Sequence, residues 1–358
     1  MFSSAQFSNT VCFLIRSIGE FFARSFPMKA ITLVRRKGSL LGICFFLVAV
    51  APAGQGARNH NYFLSDKGTD TSSYSKVQNN RGKTLETNVD LVLVPVTVTD
   101  RRERLVLGLR KDNFSVYEGA QQQTIRYFST EDAPISIGIL FDASGSMYQS
   151  IGKARDALIQ FLRRTNTSDE FFLIKFADHP QLLTGFTDSA EDIQNAMSTT
   201  TPSGSTALLD AVYLGLNKMK DARNERKVLL IVSDGGENHS RYNAREVLAI
   251  LREADVQIYA IGLFEGGRTI AERRGPDLLA ALTDTTGGRT LPVRRPREFG
   301  NALTILSTEL HSQYMLAFQP NPPAHDGKWH RFRVRVEPSH NPSRLRIHAK
   351  TGYYAAQE

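Results

Sequence analysis

Five oxygen-bearing side chains stand at three separate points of the chain, each beside a predicted strand end or helix start. They are Asp142, Ser144 and Ser146 in one segment, Thr206 in a second and Asp234 in a third. The first and third segments follow the apolar runs 135–141 and 228–232. Carboxylate and hydroxyl oxygens are the hard ligands that Mg²⁺ and similar divalent cations prefer. The residue types therefore predict a metal site, provided that the fold brings the three segments together.

A second interpretation fits the first segment taken alone. Ser and Asp side chains often accept hydrogen bonds from the free amides at a helix start, and Ser144 stands shortly before a predicted helix. Ligands of open α/β sheets, however, bind beyond the carboxyl ends of the strands. Thr206 and Asp234 are predicted to reach that same edge, so the three segments together favour the metal site.

The residue patterns of common hydrolases and phosphotransferases do not occur in the sequence. Ser144 is not part of a Gly-x-Ser-x-Gly elbow, and the eight histidines include no His-Glu-x-x-His pair. A nucleophilic Asp142 would be expected to have a second acid two residues later, where Ser144 stands. No Gly-x-x-x-x-Gly-Lys phosphate loop is present. We therefore expect no catalysis, with hydrolysis by a metal-bound water as the remaining alternative.

The elements that must position these residues alternate between short apolar runs and amphipathic helices. The runs cover 135–141, 171–176, 228–232 and 256–263. Almost wholly apolar strands between such helices predict a parallel sheet that is covered on both faces. A further helix is predicted over 296–312. Residues 134–313 are thus expected to form an α/β domain with a doubly wound, mostly parallel sheet.

The segments on either side of this domain have strand-like patterns. Residues 87–133 and 314–358 each alternate apolar and polar residues, and each is too short to bury a core alone. We predict that they combine into one small β-sandwich, with the α/β domain inserted between them. Pro95 cannot donate to a strand ladder, which favours an edge strand or a bulge there. The alternate residues Arg331, Arg333 and Arg335 are expected to form a solvated outer face. Attraction to an anionic surface, such as lipid headgroups or an acidic polysaccharide, is the alternative.

The first 57 residues have the layout of a secretory signal. The basic cluster 35–37 precedes an apolar run, 40–53, and small residues follow it. This run is shorter than the roughly 20 residues that a membrane-spanning helix needs, which favours a cleaved signal. An uncleaved membrane anchor is the alternative. Met28 is a natural start site beside Met1. Both cysteines lie in this leader, so disulfides and thiolate metal sites are excluded from the rest of the chain.

The leader also holds six basic residues and one acidic residue, while the rest of the chain is close to charge balance despite the net charge of +8. Such balance does not indicate a nucleic-acid partner. Residues 58–86 are polar and are predicted to be a flexible linker. An extracytoplasmic protein, secreted or periplasmic, is expected, with membrane association only through an uncleaved leader.

In order and spacing, the five oxygen-bearing residues resemble the metal-ion-dependent adhesion site of von Willebrand factor type A domains and integrin inserted domains. The resemblance covers residues 134–313. It implies that the three hydroxyl residues contact the cation, that the two aspartates act directly or through water, and that a partner's acidic residue fills the sixth position. A weaker resemblance, to exported bacterial proteins related to type A domains, of acidobacterial type, rests on three flanking segments. They are Val-Thr-Val-Thr-Asp at 96–100, residues 114–119 and Lys-Thr-Gly-Tyr-Tyr at 350–354.

The resemblance implies an exported, non-catalytic adhesion or interaction module. Mg²⁺ is the expected cation, with Mn²⁺ and Ca²⁺ as alternatives, and the partner is a protein that presents an Asp or Glu carboxylate. His239, Arg241 and Tyr242, which follow the Asp234 segment, are expected to contact that partner. The alternatives are a structural or assembly scaffold whose metal only stabilises the fold, and a metal-dependent hydrolase.

Overall fold

The computed structural model describes residues 75–78, 84–87, 91–264, 269–337 and 345–356. The predicted leader lies outside these residues. Strands β1 (Ser75–Gln78) and β2 (Thr84–Thr87) pair antiparallel, and all their residues except Thr87 lie in the segment 58–86 that is predicted as a linker. No helix in the described ranges is both long enough and apolar enough to cross a membrane.

Fourteen further strands in the described ranges form three sheets. In chain order they are β3 (Val92–Thr99), β4 (Phe114–Glu118), β5 (Gln121–Gln123), β6 (Ile125–Ser129), β7 (Ile135–Asp142), β8 (Glu170–Phe176), β9 (Pro180–Thr187), β10 (Arg226–Ser233), β11 (Gln257–Leu263), β12 (Thr290–Val293), β13 (Tyr314–Phe318), β14 (Trp329–Val336), β15 (Arg346–His348) and β16 (Gly352–Tyr354). Strands β7 to β12 build the central sheet, and the others build two smaller sheets.

The central sheet has the order β12-β11-β10-β7-β8-β9, and only β9 runs antiparallel to its neighbour. Six helices cover it. They are α1 (Ile151–Leu162), α2 (Ala190–Met197), α3 (Leu208–Lys218), α4 (Ala244–Glu253), α5 (Ile270–Thr286) and α6 (Phe299–Leu310). Helices α1, α2 and α6 pack on one face, and α3, α4 and α5 pack on the other. The predicted doubly wound fold and its last helix are confirmed.

The flanking strands form two four-stranded sheets, β15-β3-β13-β6 and β16-β14-β4-β5. Each sheet contains strands from both ends of the described chain, because β3 pairs with β13 and β4 pairs with β14. Their inner faces share one apolar core, in which the alternate valines of β3 lie beside Phe114, Leu316 and Phe332. The predicted sandwich of amino-terminal and carboxyl-terminal strands is therefore confirmed. Burying both sets of side chains in one core explains why neither set needs a core of its own.

The prediction that Pro95 marks an edge strand is wrong, because β3 lies between β15 and β13. Pro95 pairs with Met315 of β13 without a bulge. On the other side, β15 pairs only with residues 97–99, so in the described ranges Pro95 lies beyond its end. The missing amide hydrogen of proline thus costs the ladder no bond to β15.

Buried polar side chains join the sandwich to the α/β domain. Gln313 donates hydrogen bonds to the Tyr259 hydroxyl of β11 (2.9 Å) and to Thr97 of β3 (3.3 Å). Close by, the buried Arg289 guanidinium donates to the buried Glu309 carboxylate of α6 at 2.7 Å. Burial raises the pKa of Tyr259 well above its usual value, so its hydroxyl stays neutral in this network.

Candidate metal site at the sheet edge

Three loops meet beyond the carboxyl ends of β7 and β10. We call residues 142–149 the first loop, 203–207 the second loop and 234–243 the third loop. Backbone hydrogen bonds join the first loop to the second and the second to the third. They run from Ser203 N to Ala143 O (2.8 Å), from Gly145 N to Gly204 O (3.1 Å) and from Asn238 N to Thr206 O (3.1 Å). The sheet edge therefore holds the three predicted segments side by side.

Asp142 ends β7 and is fully buried. Its Oδ1 accepts a hydrogen bond from Ser144 N at 2.8 Å, and its Oδ2 accepts one from Ser233 Oγ at 2.5 Å. Burial, followed by the nearby negative charge of Asp234, raises the pKa of Asp142 to about 7. Two carboxylates in a site shielded from water repel each other, and a cation between them would relieve that repulsion.

The hydroxyls of the first loop lie next to each other, with Ser144 Oγ 3.1 Å from Ser146 Oγ. Ser144 is buried, whereas Ser146 is exposed to solvent. The 3₁₀ turn at 145–149 begins directly after Ser144, yet the Ser144 side chain makes no capping hydrogen bond to it. The capping interpretation of this serine therefore does not hold, and its hydroxyl faces the other oxygen donors of the first loop.

Thr206 and Asp234 approach each other across Gly236. A methyl group placed on Gly236 would lie 3.0 Å from Asp234 Oδ1 and 3.8 Å from Thr206 Oγ1. Asn238 Oδ1 accepts a hydrogen bond from the Thr206 amide at 2.9 Å, and Asp234 Oδ1 accepts one from the Gly236 amide at 2.8 Å. The third loop thus holds the Thr206 backbone through Asn238 and the Asp234 carboxylate through the Gly236 amide. Glycine at position 236 leaves the space between the Thr206 and Asp234 side chains open.

The donor set fits a hard divalent cation. Two carboxylates and three hydroxyls offer only oxygen, which suits Mg²⁺, Mn²⁺ or Ca²⁺ better than a softer metal. Across the described part of the chain, no three His, Cys, Asp or Glu side chains cluster as an alternative metal site. The five residues at the sheet edge are thus the candidate metal site, and we use that name for them below.

Two carboxylates hold the third loop in place against the start of α3. Glu237 accepts hydrogen bonds from the amides of Leu209, His239 and Ser240 and from the Ser240 hydroxyl, at 2.7–3.0 Å. The buried Asp210 accepts from the amides of Arg241 and Tyr242 and from the Arg241 Nε, at 3.0–3.2 Å. This bonding restricts the backbone that carries the predicted partner-binding residues.

The predicted partner-binding residues lie on this loop with different degrees of exposure. His239 is exposed, and the Arg241 side chain is 83% exposed while its Nε stays bound to Asp210. Tyr242 is half-buried and stacks on Tyr213 with ring centroids 4.3 Å apart. Tyr148 of the first loop is 75% exposed on the same edge. The rim of the candidate metal site thus carries cationic and aromatic side chains.

Several residues that shape the site were not predicted. They are Ser233, Asp210 and Glu237. Their hydrogen-bond partners are 28 to 91 positions away in the sequence, and no local pattern predicts such partners. Only Asp210 had a signal in the sequence, as an acid in the first turn of a predicted helix. Its observed partners are the amides of the third loop rather than those of its own helix.

Residues 137–237 match the family model of the von Willebrand factor type A domain. The matched segment begins in β7 and contains all five residues of the candidate metal site. The α/β domain is a von Willebrand factor type A domain. Type A domains are generally modules for interaction between proteins. A search of curated proteins finds no match to the chain.

Solved structures resemble parts of the chain. A von Willebrand factor type A protein from Catenulispora acidiphila is 12% identical, with 76% of this chain and 75% of that chain covered and a TM-score of 0.46. An aerotolerance-related membrane protein from Bacteroides fragilis is 16% identical, with coverage of 49% and 98% and a TM-score of 0.41. The von Willebrand factor domain of a type V pilus tip protein from Porphyromonas gingivalis is 11% identical, with coverage of 49% and 95% and a TM-score of 0.42.

Proposed function

We propose that this protein is an exported, non-catalytic binding protein that holds a partner protein through one divalent cation at the candidate metal site. Mg²⁺ is the proposed cation, with Mn²⁺ and Ca²⁺ as alternatives. The observation that carries the proposal is the convergence of two carboxylates and three hydroxyls from three hydrogen-bonded loops at one sheet edge.

Each residue has a distinct part in this proposal. Ser144, Ser146 and Thr206 supply neutral hydroxyl oxygens, while Asp142 and Asp234 supply the negative charge. When bound, the cation supplies a coordination position that a carboxylate oxygen of the partner can take in place of water. An Asp or Glu side chain of the partner is suited to that position because it is a hard, charged oxygen donor.

A single metal contact does not provide the whole affinity of a protein complex, so the surrounding rim must contribute. The bonds that Glu237 and Asp210 make to the third loop hold its backbone before any partner arrives. Such preorganisation reduces the entropy lost on binding. His239, Arg241 and Tyr242, together with Tyr148, are the proposed contact residues around the cation.

The non-catalytic part of the proposal rests on the surroundings of the two serines. In the described residues, no hydrogen bond joins a histidine to Ser144 or Ser146. A serine nucleophile needs a general base within hydrogen-bonding distance. In the described residues, neither hydroxyl therefore has the histidine base that activates the serine of common acyl-transfer enzymes.

A structural role for the cation is the second candidate, and the burial of the site favours it. Asp142, Ser144, Thr206 and Asp234 are each less than one-tenth exposed. A cation among buried residues stabilises the folded state whether or not a partner binds. In that case Asp142→Ala lowers the melting temperature as much as chelation does, and no partner is captured in a metal-dependent way.

The first test is calorimetric titration of Mg²⁺ and Mn²⁺ into the protein. We expect saturable one-site binding that both Asp142→Ala and Thr206→Ala lose. Asp156→Ala, which removes an exposed acid from α1, is the matched control and retains binding. Absence of cation binding in the wild type contradicts the proposal. Equal weakening in the Asp156→Ala control also contradicts it, because the effect would then reflect net charge.

The second test separates a binding role from a structural one. Capture of partner proteins is compared with and without chelator, using the wild type and the Asp142→Ala variant. The binding role predicts capture that requires both the cation and Asp142. Capture that persists in the folded Asp142→Ala variant favours the structural role instead.

A further inference from the structure

The outer face of the sheet β16-β14-β4-β5 carries a row of three arginines. Arg331, Arg333 and Arg335 occupy alternate positions of β14, and all three side chains are exposed. The residues between them pack into the sandwich core, Phe332 being fully buried. At about 3.4 Å per residue, the row extends over roughly 14 Å. We call these three residues the arginine row.

Arginines elsewhere in the chain are commonly paired with acids, as Arg104, Arg241, Arg289 and Arg346 are. In the described ranges, no carboxylate lies within salt-bridge distance of any member of the arginine row. The neighbouring acid Glu118 lies opposite Phe332 in the strand register, so its side chain faces inward as that of Phe332 does. Its Oε1 forms a hydrogen bond with His330 Nδ1 at 2.8 Å. Within the part of the chain that the structure describes, none of the three arginines therefore has an ion-pair partner.

An aromatic ring supports the row from the adjacent strand. Tyr117 of β4 pairs with Arg333, and its ring centroid lies 4.7 Å from the Arg335 guanidinium and 6.0 Å from that of Arg333. Cation–π contacts at such distances position a guanidinium without neutralising its charge. The Arg333 Nη2 donates one hydrogen bond to the Gly119 carbonyl oxygen at 3.3 Å. In the described residues, no other side-chain hydrogen bond engages these two guanidiniums, so their remaining N–H groups stay available to a ligand on the outer face.

The end of the row carries two more aromatic side chains on the same outer face. Trp329 pairs with Tyr354 of β16, and their rings meet edge to face with centroids 5.2 Å apart. Tyr354 is 42% exposed. Flat apolar rings beside charged side chains offer two kinds of contact to one ligand, namely stacking and charge-assisted hydrogen bonds.

We propose that the arginine row binds a linear acidic polysaccharide through the carboxylate groups of its sugar units. The guanidinium fork matches a carboxylate with two parallel hydrogen bonds. Alternate positions on one strand repeat every ~6.8 Å and so meet charges that recur along a chain. Trp329 and Tyr354 pack against the apolar faces of the sugar rings at one end. This binding is independent of the candidate metal site.

The number of cations favours a polysaccharide over other polyanions. Protein contacts to a nucleic-acid backbone commonly neutralise roughly six to ten phosphates. Basic segments that bind anionic membranes contain about four to eight Lys or Arg residues. A row of three arginines with aromatic residues at its end suits a ligand of lower charge density that also has apolar surface.

The test uses the full chain in the presence of chelator, so that the candidate metal site cannot contribute. Polygalacturonate is titrated into the wild type and into the variant Arg331→Gln/Arg333→Gln/Arg335→Gln. We expect the triple variant to bind at least roughly tenfold more weakly. The variant Arg294→Gln/Arg295→Gln/Arg297→Gln removes the same charge from an exposed segment of the α/β domain. It should bind like the wild type.

A second variant tests the contact geometry. Arg331→Lys/Arg333→Lys/Arg335→Lys keeps the charge but not the guanidinium forks, so intermediate affinity is expected. Equal weakening by the 294/295/297 variant overturns the proposal, as does unchanged affinity in the lysine variant. Binding only to phosphatidylcholine–phosphatidylglycerol vesicles, or only to single-stranded oligothymidylate, also overturns it. Unfolding profiles of all three variants are measured alongside, and each must match that of the wild type.

Discussion

Gly275 of helix α5 lies directly against Gly235 in the third loop. A Cβ atom on Gly235 would be 2.7 Å from the Gly275 Cα, and one on Gly275 would be 2.4 Å from the Asp234 carbonyl oxygen. Gly235 also has a φ of +77°, which L side chains rarely adopt. The helix and the loop that carries Asp234 therefore make backbone contact, and this contact sets the position of one candidate ligand.

Substitution of Gly275 by alanine should weaken cation binding without changing any candidate ligand. The added methyl group must displace the Asp234 backbone, so we expect roughly a tenfold loss of cation affinity and a destabilisation of about 1–3 kcal/mol. Calorimetry and urea unfolding measure the two effects. Gly152→Ala in α1 is the control, because a Cβ there has no neighbour within 4 Å. Cation affinity equal to that of the control would refute the positioning role of Gly275.

Ser233→Ala should lower cation affinity because Ser233 orients Asp142. Its hydroxyl donates to Asp142 Oδ2 and accepts from the Gly235 amide at 2.9 Å, linking the first and third loops. We expect about 1 kcal/mol of destabilisation together with a severalfold loss of cation affinity.

The matched control is Ser136→Ala at the opposite end of β7. Ser136 is also buried. Its hydroxyl donates a hydrogen bond to the Glu170 carboxylate at 2.6 Å and accepts one from a backbone amide. Its loss should destabilise the protein to a similar extent and leave cation affinity unchanged. Similar cation affinities in the two variants would contradict an orienting role for Ser233.

Asp210→Ala should loosen the third loop while sparing the candidate ligands. The variant leaves the amides of Arg241 and Tyr242 without their acceptor, and such losses cost about 1–3 kcal/mol when the site is buried. Hydrogen exchange is expected to become faster at residues 237–242, and metal-dependent capture of a partner should weaken. Asp156→Ala, an exposed substitution, is the control. Unchanged exchange in the loop would count against its preorganisation by Asp210.

Acidification should destabilise the protein partly through His348. Burial, followed by the charges of Arg289 and Arg346, lowers the pKa of His348 from 6.5 to about 4. A lowered pKa in the folded state means that the unfolded state binds the proton more tightly. The contribution of His348 is therefore complete above pH 6.5 and is lost as the pH falls from 6.5 through 4.

This pH dependence is measured as the free energy of unfolding of the wild type and of His348→Gln across that range. Glutamine does not titrate, so the variant should lose less stability on acidification than the wild type. Parallel curves for the two proteins would show that His348 does not contribute.

The sequence by itself determined the fold class and the candidate ligands. Apolar runs buried on both faces and helices with one apolar side follow from spacing between near neighbours, so the doubly wound sheet could be predicted. Asp142, Ser144, Ser146, Thr206 and Asp234 could be chosen because each follows a predicted strand or precedes a predicted helix. The division of the sandwich strands between the two ends of the chain followed from the shortness of each set.

Only the tertiary structure decided which groups support that site and which charges remain unpaired. Ser233 and Asp142 are 91 residues apart, and Glu237 contacts an amide 28 residues away. Within the described ranges, the lack of ion-pair partners for Arg331, Arg333 and Arg335 likewise depends on which strands are neighbours. The position of Pro95 beyond the end of β15 also depends on which strands are neighbours. Side-chain patterns record which face of an element is buried, but hydrogen-bond partners depend on how distant elements pack, which local spacing does not encode.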